Sequence, residues 1–443
     1  MDDLALLDTL LAVARAAGAD AADALLSSSL SLGVQCRLGR AEHVERAESR
    51  DLGLRVFVGQ RQALVSTSAV EAARFPELAA QAVAMARLLP EDRFAGLAES
   101  AGVMADADGL ELDDAAEPAT EALVARALAA EEAARAVAGI TNSEGAEASY
   151  GRTETALAAS NGFAGRFART RHSLSVSVLA GEGTDMQRDY DFASAVRLAD
   201  LEAPETVGRS AGERAVARLR PRRPRTMTAP VVFDQRVAGG LIGHLAMAAN
   251  GAAVARGTSF LRERLGESVF GSAITVMDDP RRRRGLRSRP FDGEGLETAP
   301  LALVRDGILA SWLLDSRSAR QLGLRSTAHA SRGTESPPSP APSNLYLLPG
   351  TPSPAELMAD IGEGLYVTEL IGMGVNPVTG DYSRGASGFM IRDGSLAEPV
   401  AECTVAGNLL AMFASLVPAS DLVFRRGIDA PTVRLDGMTV AGT

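Results

Sequence analysis

Runs in which apolar and polar residues alternate one for one, bounded by glycine, constrain this chain more than any other feature. Leu30, Leu32 and Val34 alternate with small or polar residues, and Leu52, Leu54, Val56 and Val58 also recur at every second position before Gln60 and Arg61 turn the chain into residues 63–66. A period of two places every second side chain on one face, so these runs predict antiparallel strands with one buried side. Alanine- and leucine-rich stretches with helical spacing lie around them, at 3–17, 70–88, 117–138 and 202–219. Pro76 lies inside the second and is expected to kink or split it, and Pro90 ends it. Further strands are predicted at 147–158, 170–179 and 186–194. The two strand–helix blocks before residue 220 suit a duplication in shape, although no sequence repeat joins them.

Residues 99–116, rich in Ala, Gly and Asp, read as a loop. The run Pro221, Arg222, Arg223, Pro224, Arg225 breaks the periodicity and marks a boundary. A short strand at 231–233 and a helix at 236–255 follow, then short apolar runs between Gly, Pro and Asp turns, with a Pro/Ser loop at 336–344. Many closely spaced short strands suggest a rolled or barrel-like sheet. The expected fold is α+β: N-terminal helix–strand lobes followed by a β-rich, barrel-like C-terminal lobe. The expected domains are residues 1–110, 111–225 and 226–443.

The 443 residues are 46% hydrophobic, enough for sizeable cores. A net charge of −11 and an aromatic fraction of 4% argue against a nucleic-acid surface, which needs dense basic patches and stacking platforms. No run approaches the ~20 apolar residues of a membrane span. Two cysteines suit a reducing compartment, and the start Met1, Asp2, Asp3 lacks a basic secretory signal. A cytoplasmic protein is expected, with neither nucleic acid nor membrane as partner. Every basic residue is arginine, which excludes a lysine Schiff base, a P-loop lysine and a lysine general base.

Four histidines, His43, His172, His244 and His329, are widely separated. No closely spaced pair is present to seed a zinc site. In the stretch from Gly239 to Gly251 a helical zinc peptidase would need a Glu beside His244 and a second His about one turn on; Leu245, Ala248 and Ala249 stand there instead. The plain reading is a histidine packed in a structural helix. The four arginines 281–284 suit an acidic partner or a solvated loop, and Asp292 and Glu294 suit paired acids or turn stabilisation. The densest stretch runs from Gly364 to Phe389. Its glycines allow close backbone approach, and Asn376, Thr379, Gly380, Asp381, Ser383, Arg384 and Ser387 are its peptide or interface candidates. Ser387 has Gly388 directly after it and is no nucleophile elbow, and Cys403 in an apolar run reads as a core residue.

Taken together, these stretches resemble the TldD/PmbA family, in its PmbA (TldE) branch. The resemblance rests on Leu52-Gly-Leu-Arg-Val56, Ser66-Thr67, the helix from Gly239 to Gly251 with Arg256-Gly-Thr-Ser-Phe-Leu261, Asp278-Asp-Pro280 and Phe291-Asp-Gly-Glu-Gly295. It rests also on Tyr366-Val-Thr-Glu-Leu-Ile-Gly372, Val378-Thr-Gly-Asp381, Gly385-Ala-Ser-Gly388 and Thr404-Val-Ala-Gly-Asn408. It covers nearly the whole chain. It implies a pair of subunits: a TldD-like zinc peptidase with a His-Glu-x-x-x-His motif and a downstream cysteine ligand, and a TldE-like partner that lacks the motif. Here His244 remains as a remnant, without the Glu and the second His. The expectation is a chain with no catalytic residues and no metal of its own, the zinc being held by a TldD-like partner. That heterodimer would act on unfolded peptides. The alternatives are a regulatory protein acting on gyrase or toxin–antitoxin partners, as a homodimer when alone, or a stand-alone peptidase with a divergent site built from His244, Cys403 and distant acids.

Overall fold

The computed structural model describes residues 2–99, 107–114 and 116–442; residues 100–106 and 115 of the expected loop lie outside them. The N-terminal half begins with helix α1 (Asp3–Ala16), strands β1 (Ala21–Arg37), β2 (Arg40–Val58) and β3 (Arg61–Thr67), and helix α2 (Phe75–Leu88). The same order repeats as α3 (Thr120–Arg135), β4 (Ile140–Ala159), β5 (Ala164–Ala180), β6 (Gln187–Ala195) and α4 (Pro204–Ala217). All six strands join one antiparallel sheet in the order β3-β2-β1-β4-β5-β6. The central pair runs from Asp23 opposite Ala159 to Cys36 opposite Ala146, so the two blocks share a sheet.

Period-two patterning decides which face the helices cover. Ala22, Ala24, Leu26, Leu52, Leu54 and Val56 meet Leu7 and Leu10 of α1 and Phe75 and Val83 of α2. At the other end Leu32, Val34, Leu174, Val176 and Val178 meet Leu123 and Ala127 of α3 and Val207 and Ala211 of α4. Pro76 does not kink α2. It occupies the first turn, where its missing N–H would have no helical partner anyway. Residues 41–50, charged and all exposed, prolong β2 as a strand that alternation did not reveal. Before Leu52 the strand has no pairing with β3, and mixed charge guards such an open edge against association.

In the C-terminal half, β7 (Met227–Phe233), β8 (Glu363–Ile371), β9 (Asp381–Arg392), β10 (Ser395–Asn408) and β11 (Val433–Ala441) close into a five-stranded barrel in the order β10-β9-β8-β7-β11, with β11 returning to β10. The pair β7–β8 is parallel. Helix α5 (Gln235–Ala248) packs Ala238, Leu241, Ile242 and Leu245 into the same core as Val231, Phe233, Leu365 and Val405. The helix expected to run to 255 breaks at Asn250. Its side-chain oxygen accepts the N–H groups of Ala252 (3.0 Å) and Ala253 (3.2 Å) and starts a separate helix, Gly251–Ala255. No helix of the described residues is long and apolar enough to cross a membrane.

Two ionic clusters fasten the sheet to the barrel half. Asp189 of β6 is 2% exposed and accepts from Arg236 (2.8 Å) and Arg218 (3.2 Å), and Arg218 also reaches Glu369 of β8 (2.6 Å). Asp23 of β1, also buried, accepts from Arg55 of β2 and, at 2.6 Å, from Arg332. The backbone passes so close here that a β-carbon on Gly53 would collide with the Thr334 carbonyl. Of the arginines 281–284, two serve the same joint. Arg283 and Arg284 pair with Glu111, Arg284 also pairs with Asp200 (3.0 Å), and Arg282 stacks on Phe424.

Candidate functional site

Helix α5 carries His244 half-buried beside the barrel. Leu245 and Ala249, at the positions where a peptidase helix would present a base and a second ligand, are 0% exposed and point into the core. The His244 ring meets Tyr382 of β9 edge-on, with centroids 5.9 Å apart. Its Nδ1 and the Tyr382 hydroxyl are buried without hydrogen-bond partners among the described residues. Burial, and then the positive charge of Arg384, hold the His244 pKa below its ordinary value, so the ring is neutral at pH 7. Burial pushes the Tyr382 hydroxyl up to about 12 and the Cys403 thiol up to about 11. The thiol donates to the Ala386 carbonyl at 3.2 Å and is a core group, not a thiolate.

The loop between β8 and β9 gathers four of the seven sequence candidates into one turn. The Asn376 side chain accepts the N–H groups of Val378 (2.9 Å) and Thr379 (3.3 Å). The Thr379 hydroxyl donates to Asp381 (2.7 Å), and Gly380 takes a positive φ of 80° between them. Asn408 donates to the Thr379 carbonyl (3.0 Å) and to Asp381 (3.2 Å), and its own oxygen accepts the Leu410 N–H (3.1 Å) at the start of a helix. Those two donors hold the Asp381 carboxyl below the usual range. Ser383 and Arg384 follow on β9, and Arg384 Nε donates to the Ile371 carbonyl (3.4 Å). Ser387 stands apart. It is 5% exposed within the sheet, beside a glycine whose added β-carbon would collide with the Tyr366 carbonyl, so it lies away from the loop surface.

What sequence reasoning missed is the exposure of large apolar side chains on this loop and on α5. Met373 is 88% exposed, Ile371 59% and Met247 of α5 55%. Gly240 and Gly243, on the same side of α5 as Met247, have nothing within 4 Å of an added β-carbon. The helical spacing of Gly240, Gly243 and Met247 was the available signal.

The other histidines serve elsewhere. His43 is exposed near Glu45 (3.5 Å), His172 is buried against Tyr150 with ring centroids 5.1 Å apart, and His329 bridges Asp278 (3.2 Å) and the Thr327 carbonyl (2.6 Å). Asp278 also accepts from Ser343, and Asp292 accepts the N–H groups of Glu294, Leu296 and Ala330; both carboxylates organise turns. Glu294 lines a cavity of about 250 Å³ with Arg55, Gln62, Arg256, Asp315 and Pro340. Burial, reinforced by Asp292, raises its pKa to about 7.

Three family models cover most of the chain: PmbA/TldA metallopeptidase domain 1 over residues 22–86, the central domain over 113–219 and the C-terminal domain over 226–442. Metalloprotease PmbA of Escherichia coli O157:H7 is 37% identical over 96% of this chain and 92% of its own length. The chain belongs to the PmbA/TldD family. A metalloprotease PmbA homolog of Haemophilus influenzae is 35% identical over 97% of this chain and 94% of its own length. Among solved structures, a Bacteroides thetaiotaomicron protein described as a candidate modulator of DNA gyrase superposes with a TM-score of 0.86 at 25% identity, covering 99% of this chain and 98% of its own. TldE of Thermococcus kodakarensis, at 19% identity, shares the fold with a TM-score of 0.89, over 99% of this chain and 100% of its own.

The PmbA/TldD family name implies a metal, and the donors at His244 do not fit a catalytic zinc. Such a site needs three His, thiolate or carboxylate ligands and an open position. His244 faces Tyr382 and the cation of Arg384, which repels a metal ion, and among the described residues no three His, Cys, Asp or Glu side chains converge to hold one.

Proposed function

We propose that this chain is the non-catalytic, TldE-like subunit of a metallopeptidase complex, in which a TldD-like partner holds the zinc and this chain completes the cleft that admits unfolded peptide. The donor set around His244 carries the reading. Leu245 and Ala249 fill the core where a base and a ligand would stand, and Arg384 puts a positive charge beside the one remaining imidazole. The partner-facing surface is assigned to the adjoining region, where Met373, Ile371 and Met247 are exposed and the bare side of α5 at Gly240 and Gly243 lets another backbone approach.

Met373→Asp with Val378→Asp places two charges on this surface at exposed positions, 88% and 48% accessible, so the fold is retained. The double variant is expected to weaken association with a TldD-like subunit by at least about 100-fold, since desolvating an unpaired carboxylate costs several kcal/mol. Co-purification and titration of the two subunits measure it. Unchanged affinity would remove this surface from the interface.

A further inference from the structure

We propose that Arg169, Arg171, Arg287 and Arg289 form a binding site for a small oxyanion, at the joint between the six-stranded sheet and the barrel half. Arg169 and Arg171 are two apart on β5 and share the sheet face opposite α3 and α4. Arg169 donates through Nη2 to the Ser288 carbonyl, which brings it beside Arg289. Arg289 donates through Nη1 to the Ala330 carbonyl at 3.0 Å. Three further donors of this pair, Arg169 Nε and Arg289 Nε and Nη2, are buried and have no partner among the described residues. Arg171 and Arg287 are exposed at the rim.

The charge pattern is unusual for this chain. Its net charge is −11, and Arg152, Arg284 and Arg392 each engage two carboxylates. Among the described residues none of the four arginines at this joint forms an ion pair. The acids nearest Arg289 are committed elsewhere: Asp292 accepts three backbone N–H groups, and Asp278 is taken by His329 and Ser343. Burial, and then the like charges of Arg289, Arg171 and Arg287, press the Arg169 pKa down to about 10. Half-buried guanidinium groups with buried, idle N–H donors and no ion-pair partner among the described residues are a strained arrangement, and an anion between them satisfies both the donors and the charge. The planar fork of arginine suits phosphate or carboxylate oxygens, and the exposed pair at the rim supplies attraction and a way in.

The test uses the full chain at constant ionic strength, with sodium chloride replaced stepwise by sodium phosphate in one arm and by sodium acetate in the other. A saturable rise in melting temperature is expected in at least one arm, and the arm that responds identifies the oxyanion. Arg171→Gln with Arg287→Gln, both at exposed positions outside any ion pair, is expected to weaken the saturation constant about tenfold without lowering the melting temperature in chloride, since it removes like charge. No saturable rise in either arm, or the same constant in the variant, would overturn the site.

Discussion

Asp23→Asn is expected to lower the unfolding free energy by about 3–5 kcal/mol, the loss seen when one partner of a buried ion pair is removed. The side chains of Arg55 and Arg332 are 5% and 1% exposed, and Asp23 is the carboxylate both donate to. Asparagine preserves shape and leaves two guanidinium groups without their counter-charge. Arg332 is the more sensitive, because its Nε and Nη2 already lack partners among the described residues. Burial alone would raise the Asp23 pKa, but the charges of Arg332 and Arg55 outweigh it and hold the carboxyl below its ordinary value. The folded pKa is therefore depressed: the contribution is present above the unfolded value of about 4 and is lost as pH falls through the folded one. Urea titration at pH 7 reads the effect, and a loss under about 1 kcal/mol would contradict the triad.

Glu294→Gln is expected to stabilise the protein at alkaline pH by about 3 kcal/mol and to change little at pH 4. The folded pKa is about 7 and the ordinary value is 4.5. Below pH 4.5 both states are protonated. Between the two values the unfolded chain releases the proton while the folded chain retains it, so stability falls as pH rises, and above pH 7 the full difference has been lost. Glutamine cannot ionise and keeps the oxygen that accepts the Ser316 N–H at 2.8 Å. Melting temperatures of both proteins from pH 4 to 9 should converge at the acid end, separate progressively above pH 4.5 and keep a constant gap above pH 7. Parallel curves would mean that Glu294 ionises as an ordinary exposed carboxylate does.

The fold was largely legible because its sheets obey the period-two rule. Leu52, Leu54 and Val56 announce a strand, although Gly53, Arg55 and Phe57 between them are buried too, because the barrel half covers the face expected to be open; that half shows itself in short apolar runs between turns. The charged edge of β2 was not legible, since its alternation is between charges and carries no hydropathy signal. Pro76 misled because proline breaks a helix only beyond the first turn. At the site, sequence located the polar turn of Asn376, Thr379, Gly380 and Asp381, whose side chains bond to near neighbours. It overreached at Ser387, whose burial depends on its place opposite Glu369 of β8. The ionic clusters joining the halves, Asp23 with Arg332 and Asp189 with Arg236, span hundreds or tens of residues, and no local pattern encodes such a pairing.

The measurement that bears most directly on the proposed role is cleavage of an unfolded peptide by this chain alone, by a TldD-like subunit alone and by the two together, each with and without a chelator. No cleavage by this chain alone is expected, with chelator-sensitive cleavage by the pair and stoichiometric zinc only in the partner. Chelator-sensitive cleavage by this chain alone, abolished by His244→Ala, would contradict the proposed role.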